Sequence, residues 1–84
     1  MPYMALYRER VLLAGGAAVE AAVEEGRRYR LCLRREGAPL VEYWSNGAVC
    51  RKRVGGRISA YEFRSVEQLR YDFERDAEDA LGTD

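Results

Sequence analysis

Histidine is absent from this 84-residue chain; lysine and tryptophan occur once each, and proline and cysteine twice each. Without histidine the commonest proton acceptor near neutral pH is gone. No nucleophile motif, metal-ligand spacing or phosphate-cradling glycine loop takes its place, since Gly15-Gly16 and Gly55-Gly56 lack the flanking pattern. The expectation is a protein that is not an enzyme, with no catalytic residue, no metal and no cofactor. Two cysteines can form at most one disulfide, and the strand phasing derived below puts them on opposite sheet faces. A reducing, cytoplasmic location is therefore expected. No run approaches the ~20 apolar residues that cross a bilayer, so no membrane association is expected. Arg8 and Arg10 ahead of VLLAGGAAV resemble the start of a signal peptide, but Gly15-Gly16 and Glu20 interrupt that run.

What is abundant is arginine, thirteen residues against the single lysine Lys52, in a chain of formal net charge zero. The neutrality conceals a partition. Residues 27–57 carry nine basic side chains against Glu36 and Glu42, about +7, while residues 58–84 stand at −5 and residues 1–26 at −2. A charged face is a statement about partners rather than about fold. Apolar content of 48% with 33% charge fits one small α+β domain over residues 1–84, able to bury a single modest core.

Residues 17–25, AAVEAAVEE, predict a helix from their alanines and glutamates, with Gly26 at the C′ position. Tyr3–Leu13 fits either a helical face (Tyr3, Met4, Tyr7, Val11) or a strand (Ala5, Tyr7, Val11, Leu13). Helix is favoured there, broken near Gly15-Gly16, because two adjacent glycines cost about 2 kcal/mol inside a helix. From Arg27 to Phe63 the period becomes two. RRYRLCLRR, LVEYWS, AVCRKRV and RISAYEF are separated by EGAP, Asn46-Gly47 and Gly55-Gly56, which predicts a four-stranded antiparallel meander. The expected fold is a two-layer sandwich, with that sheet carrying N-terminal and C-terminal helices on one face.

Turn lengths set register and therefore faces. A three-residue loop Glu36–Ala38 aligns Leu33 with Val41 and Leu31 with Tyr43. Two-residue turns at Asn46-Gly47 and Gly55-Gly56 align Trp44 with Val49, Glu42 with Arg51, Arg53 with Ile58 and Arg51 with Ala60. The core face then reads Tyr29, Leu31, Leu33, Val41, Tyr43, Cys50, Tyr61 and Phe63. The opposite face holds Trp44 among Arg28, Arg30, Arg51 and Arg53, with Ile58 nearby. These six are the candidate partner-binding residues, because tryptophan and arginine are enriched in interface hot spots and a guanidinium over indole adds a cation–π contact. The same face could be merely solvated, or Trp44 could lie under the N-terminal helix. Cys32, between Arg30 and Arg34, is a candidate for a lowered thiol pKa.

Ser65-Val66-Glu67-Gln68 has capping-box form, and Val66, Leu69, Phe73, Ala77 and Ala80 follow at helical spacing. Asp72, Glu74, Asp76, Glu78 and Asp79 give this helix an acidic face, a secondary candidate surface. The stretch Ala60 to Leu69, with Phe73, resembles the sheet-to-helix junction of a small phage anti-CRISPR protein of the type I-F class. The similar elements are Ala60, an acid at 62, Phe63, Ser65, Glu67-Gln68-Leu69 and Phe73, within residues 60–73. No functional residue is carried over. The resemblance implies a small, rigid α/β protein that occupies a macromolecular surface.

Together these features predict a non-enzymatic protein-binding module, an inhibitor or adaptor of phage or mobile-element type. Its partner would be a protein complex, including a nucleoprotein. Nucleic-acid binding by the basic face is the alternative, since positive charge beside an aromatic platform suits single strands. A homodimer or larger homo-oligomer, with basic and acidic faces meeting, is the third.

Overall fold

A computed structural model describes residues 5–25 and 27–82. Six strands run in sequence order: β1 (Ala5–Leu13), β2 (Ala17–Glu24), β3 (Arg28–Arg35), β4 (Ala38–Asn46), β5 (Cys50–Val54) and β6 (Arg57–Ala60). They form one antiparallel meander, and a single helix, α1 (Val66–Gly82), follows. The α+β, two-layer description stands, but a four-stranded sheet with helices at both ends does not. The expected helix at 17–25 is strand β2, and the segment before it is strand β1; Tyr3, Met4 and Gly26 lie outside the described residues.

The physical reason is tertiary. Alanine and glutamate favour an isolated helix, but packing decides when alternate residues can be buried. Ala17, Ala21 and Val23 are buried on one face of β2, with Val19 packed against the core beside them, while Glu20 points the other way. Gly15 and Gly16 do not break a helix. Their φ values of 76° and 77° build the 3-10 turn Ala14–Gly16 that reverses β1 into β2, pairing Leu13 with Ala17. Residues with a Cβ resist that left-handed backbone.

The β3–β4 register is as expected, with Leu33 beside Val41, Leu31 beside Tyr43 and Arg30 beside Trp44. It arises from a tighter turn, Glu36-Gly37 at φ 51° and 82°, and an extra residue on β4 where the pairing passes from Leu33/Val41 to Arg34/Pro39. The β4–β5 register differs by two residues. Asn46 Oδ1 accepts from the Ala48 and Val49 amides (2.9 Å each), and Ser45 Oγ accepts from Gly47 (3.0 Å). The Asn46 side chain thus opens a two-residue turn into a four-residue loop, 46–49, closed by the pair Ser45–Cys50. Trp44 lies opposite Arg51 rather than Val49, and Glu42 opposite Arg53 rather than Arg51. An even shift leaves the faces intact. The β5–β6 pairs Arg53–Ile58 and Arg51–Ala60 are those expected, although β6 ends at Ala60; the Tyr61 amide still donates to Cys50 O at 3.0 Å.

The core fills the space between the sheet and α1. Leu31, Leu33, Val41, Tyr43, Leu69 and Phe73 are all buried, and Tyr43 meets the rings of Tyr61 and Phe73 edge-on at 4.9 and 5.7 Å. The helix starts as a capped end should, with Ser65 Oγ accepting from the Gln68 amide at 3.0 Å. The reciprocal half of the capping box is not made; the Gln68 amide group donates instead to Asp72 Oδ1 at 2.8 Å. One helix covers only part of a six-stranded sheet, so the other sheet face stays open.

Candidate functional site

Two cross-strand rows define the open face. One runs Arg8–Ala22–Arg30–Trp44–Arg51–Ala60, and its neighbour runs Arg10–Glu20–Cys32–Glu42–Arg53–Ile58. Arg28, Arg34 and Glu24 flank them, so seven arginines share the face with Glu20, Glu24 and Glu42. All six expected binding residues fall on this side of the sheet. The helix that would have covered Trp44 is a pair of strands, and Trp44 stands half-buried between Arg30 and Arg51.

Glu42 organises the centre. It is a buried carboxylate, held by Arg30 at 3.3 Å and by Arg53 on the opposite strand, while both arginines remain substantially exposed. Burying an anion is tolerable only with such partners. The consequence is positional: two guanidiniums are fixed on either side of one carboxylate, at the rim of a depression of about 300 Å³ shared with Trp44 and Ile58. Weaker exposed pairs, Arg34–Glu20 at 3.7 Å and Arg8–Glu24 at 3.8 Å, continue the alternation of charge toward β1.

Beside this centre lies a larger concavity of about 520 Å³, lined by Ala22 and Cys32, by Arg8, Arg10, Arg30 and Arg34, and by Glu9 and Glu20. The small side chain of Ala22 makes the hollow. Cys32 does not become a reactive thiolate there. Burial pushes its pKa up, and this outweighs the opposing pull of Arg34 and Arg30. Cys32 and Cys50 are both free thiols on opposite faces, as the phasing required. The expected cation–π contact at Trp44 is not made among the described residues; guanidiniums lie over Phe63 (Arg27, 5.7 Å) and Tyr7 (Arg70, 5.0 Å).

The acidic surface of α1 is divided rather than continuous. Asp72 and Asp76 turn toward the sheet. Asp72 accepts from the Tyr61 hydroxyl at 2.5 Å, and Asp76 accepts from the Tyr43 hydroxyl and from Lys52 Nζ (3.3 Å). Glu74, Glu78 and Asp79 are exposed outside this network. Helical spacing carried the signal, because positions 72 and 76 lie one turn apart beside Leu69 and Phe73. What the sequence reading missed on the open face is Arg8 and Arg10, whose alternation with Tyr7, Glu9 and Val11 marked them only if 5–13 is a strand.

Among the described residues no group of three or more cysteines and carboxylates is arranged to hold a metal, and no helix is long and apolar enough to cross a membrane. No protein-family model, curated protein or solved structure matches the chain.

Proposed function

We propose that this chain is a non-enzymatic protein-binding module that seats an acidic protein surface on its open sheet face. The observation that carries this reading is the pair of adjacent cross-strand rows, one setting Trp44 between Arg30 and Arg51 and the other running Arg10–Glu20–Cys32–Glu42–Arg53. A phosphate backbone offers uniform negative charge and is best met by uniform positive charge with several stacking rings. Among the described residues this face offers one ring and a pattern of both signs, which suits a partner with its own pattern of carboxylates and cations. Strand spacing and rise give a face of roughly 600 Å², comparable with the ~800 Å² that each partner contributes to a standard interface. Trp44, Arg30 and Arg51 are its energetic centre, with Arg28, Arg53 and Ile58 around them. The similarity of residues 60–73 to an anti-CRISPR protein points the proposal toward an inhibitor of a host macromolecular complex, acting in the cytoplasm.

Nucleic-acid binding is the second reading, favoured by Arg8 and Arg10, which β1 adds to the face. One experiment separates the two. Affinity capture from the source cell with the wild type and with Trp44→Ala/Arg51→Glu is combined with titration of generic single-stranded and duplex oligonucleotides at about 50 mM salt. The proposal expects a captured protein that the variant loses, and no salt-sensitive oligonucleotide binding. Oligonucleotide binding that weakens steeply with salt, or capture unchanged in the variant, refutes it.

A further inference from the structure

The larger hollow of the open face is built around a small side chain. Ala22 lies on β2 with Arg8 opposite it on β1 and Arg30 opposite it on β3. Two strand spacings put those arginines about 10 Å apart at the backbone, and the alanine methyl leaves the space between them empty. Arg10 and Arg34 join them around the same depression of about 520 Å³, within the usual size range of small-molecule sites.

Little opposes this charge. Of the two acids that line the hollow, Glu9 turns its carboxylate to Arg70 of α1, 3.9 Å away on the other side of the sheet. Glu20 remains, 3.7 Å from Arg34. Arg8 has only Glu24, at 3.8 Å, and both distances exceed the roughly 2.7–2.9 Å of a charge-assisted hydrogen bond. Arg10 faces Glu20 across the strands, yet it forms no ion pair among the described residues. Burial keeps Cys32 a neutral thiol, so it adds no negative charge. The guanidinium donors of Arg8, Arg10 and Arg34 make no hydrogen bond among the described residues and are available to a ligand.

We propose that this hollow binds a phosphate monoester, its oxygens held over Ala22 by Arg8, Arg10 and Arg34. A guanidinium fork matches two oxygens of such a group. The monoester brings close to two negative charges near neutral pH, set here against four cations and one carboxylate. A single carboxylate would leave most of that charge unmet. A phosphodiester strand fits less well, because Glu20 and Glu24 flank Ala22 along β2 and would meet its next phosphates. Trp44 does not line the hollow, so this site stands or falls apart from the protein docking proposed above.

The test is isothermal titration calorimetry of the folded chain at low salt. Phenyl phosphate is expected to bind, and benzoate to bind at least about tenfold more weakly. Arg10→Gln is expected to weaken phenyl phosphate at least about tenfold, the loss of one charge-assisted contact. Ala22→Leu fills the hollow without altering any charge and is expected to do the same. Both positions lie on the open face, and circular dichroism verifies that each variant is folded. Arg57→Gln removes a cation at the start of β6, outside the hollow, and is expected to bind as the wild type does. A short phosphoserine peptide titrated in parallel distinguishes the two sources of the group. Tighter binding than phenyl phosphate assigns it to a phosphorylated side chain, and weaker binding to a free small molecule. No saturable binding of either probe, equal binding of benzoate, or an Ala22→Leu variant that binds as the wild type does overturns the proposal. The last would mean that the arginines attract anions only as a diffuse field.

Discussion

Removing the Tyr43 hydroxyl tests how α1 is fixed to the sheet, and therefore which face is left open. The ring is fully buried against Tyr61 and Phe73, so Tyr43→Phe keeps the packing and deletes one oxygen. That oxygen donates to the Asp76 carboxylate, lies 3.3 Å from the Asp72 carbonyl and accepts from Lys52 Nζ at 3.5 Å. A hydrogen bond to a charged group contributes about 1.5–3 kcal/mol. Asp76 retains Lys52 and some solvent in the variant, its side chain being 23% exposed, so the loss belongs at the low end, about 1.5–2 kcal/mol. In a domain of this size that lowers Tm by about 10 °C. Urea unfolding followed by far-ultraviolet circular dichroism measures the change, with an unaltered m value expected. A double-mutant cycle with Asp76→Asn should return a coupling of about 1 kcal/mol. A Tyr43→Phe protein within about 0.5 kcal/mol of wild type, a surface-substitution effect, would refute the claim that this contact fastens the helix.

Alkaline pH should unfold the protein through its buried tyrosines. Burial first, then the bond to Asp76, holds the Tyr43 hydroxyl well above its ordinary pKa of 10.0; burial does the same to Tyr29 and, aided by Asp72, to Tyr61. The unfolded chain therefore releases these protons first. Stability is complete below about pH 10 and falls above it by about 1.4 kcal/mol per pH unit for each such tyrosine, so urea midpoints that stay level from about pH 8 to about pH 11 would contradict the burial. Ser65→Ala removes the acceptor for the Gln68 amide and should cost about 1 kcal/mol without altering the folded-state spectrum; no change in the urea midpoint would mean that the cap contributes nothing.

The parts of the fold legible in the sequence are those where side chains differ sharply between the faces. In β3 the alternation of Tyr29, Leu31 and Leu33 with arginines fixed the phase, and the β3–β4 register followed from it. β2 was illegible for the opposite reason. Its inward residues include two alanines and its outward ones two more, so burial left little contrast in the text while helix propensity left a strong one. Misreading β2 also hid β1, and with it Arg8 and Arg10. The two-residue slip between β4 and β5 lay in the reach of one side chain, Asn46, which bonds two amides beyond the turn it begins. Because the slip was even, Trp44 kept its face but exchanged Val49 for Arg51 as its neighbour. The Glu42 clamp was partly visible, since Arg30 beside Trp44 put it within diagonal reach of Glu42. Arg53 entered only with the corrected register.

The central claim, that the open face around Trp44 holds a protein partner, is tested most directly by comparative capture from the source cell. Trp44→Ala/Arg51→Glu changes two side chains on the uncovered face and none in contact with α1. The account predicts a protein retained by the wild type and lost by this folded variant, with the loss persisting after nuclease treatment. The same proteins recovered in equal amounts by both would contradict it.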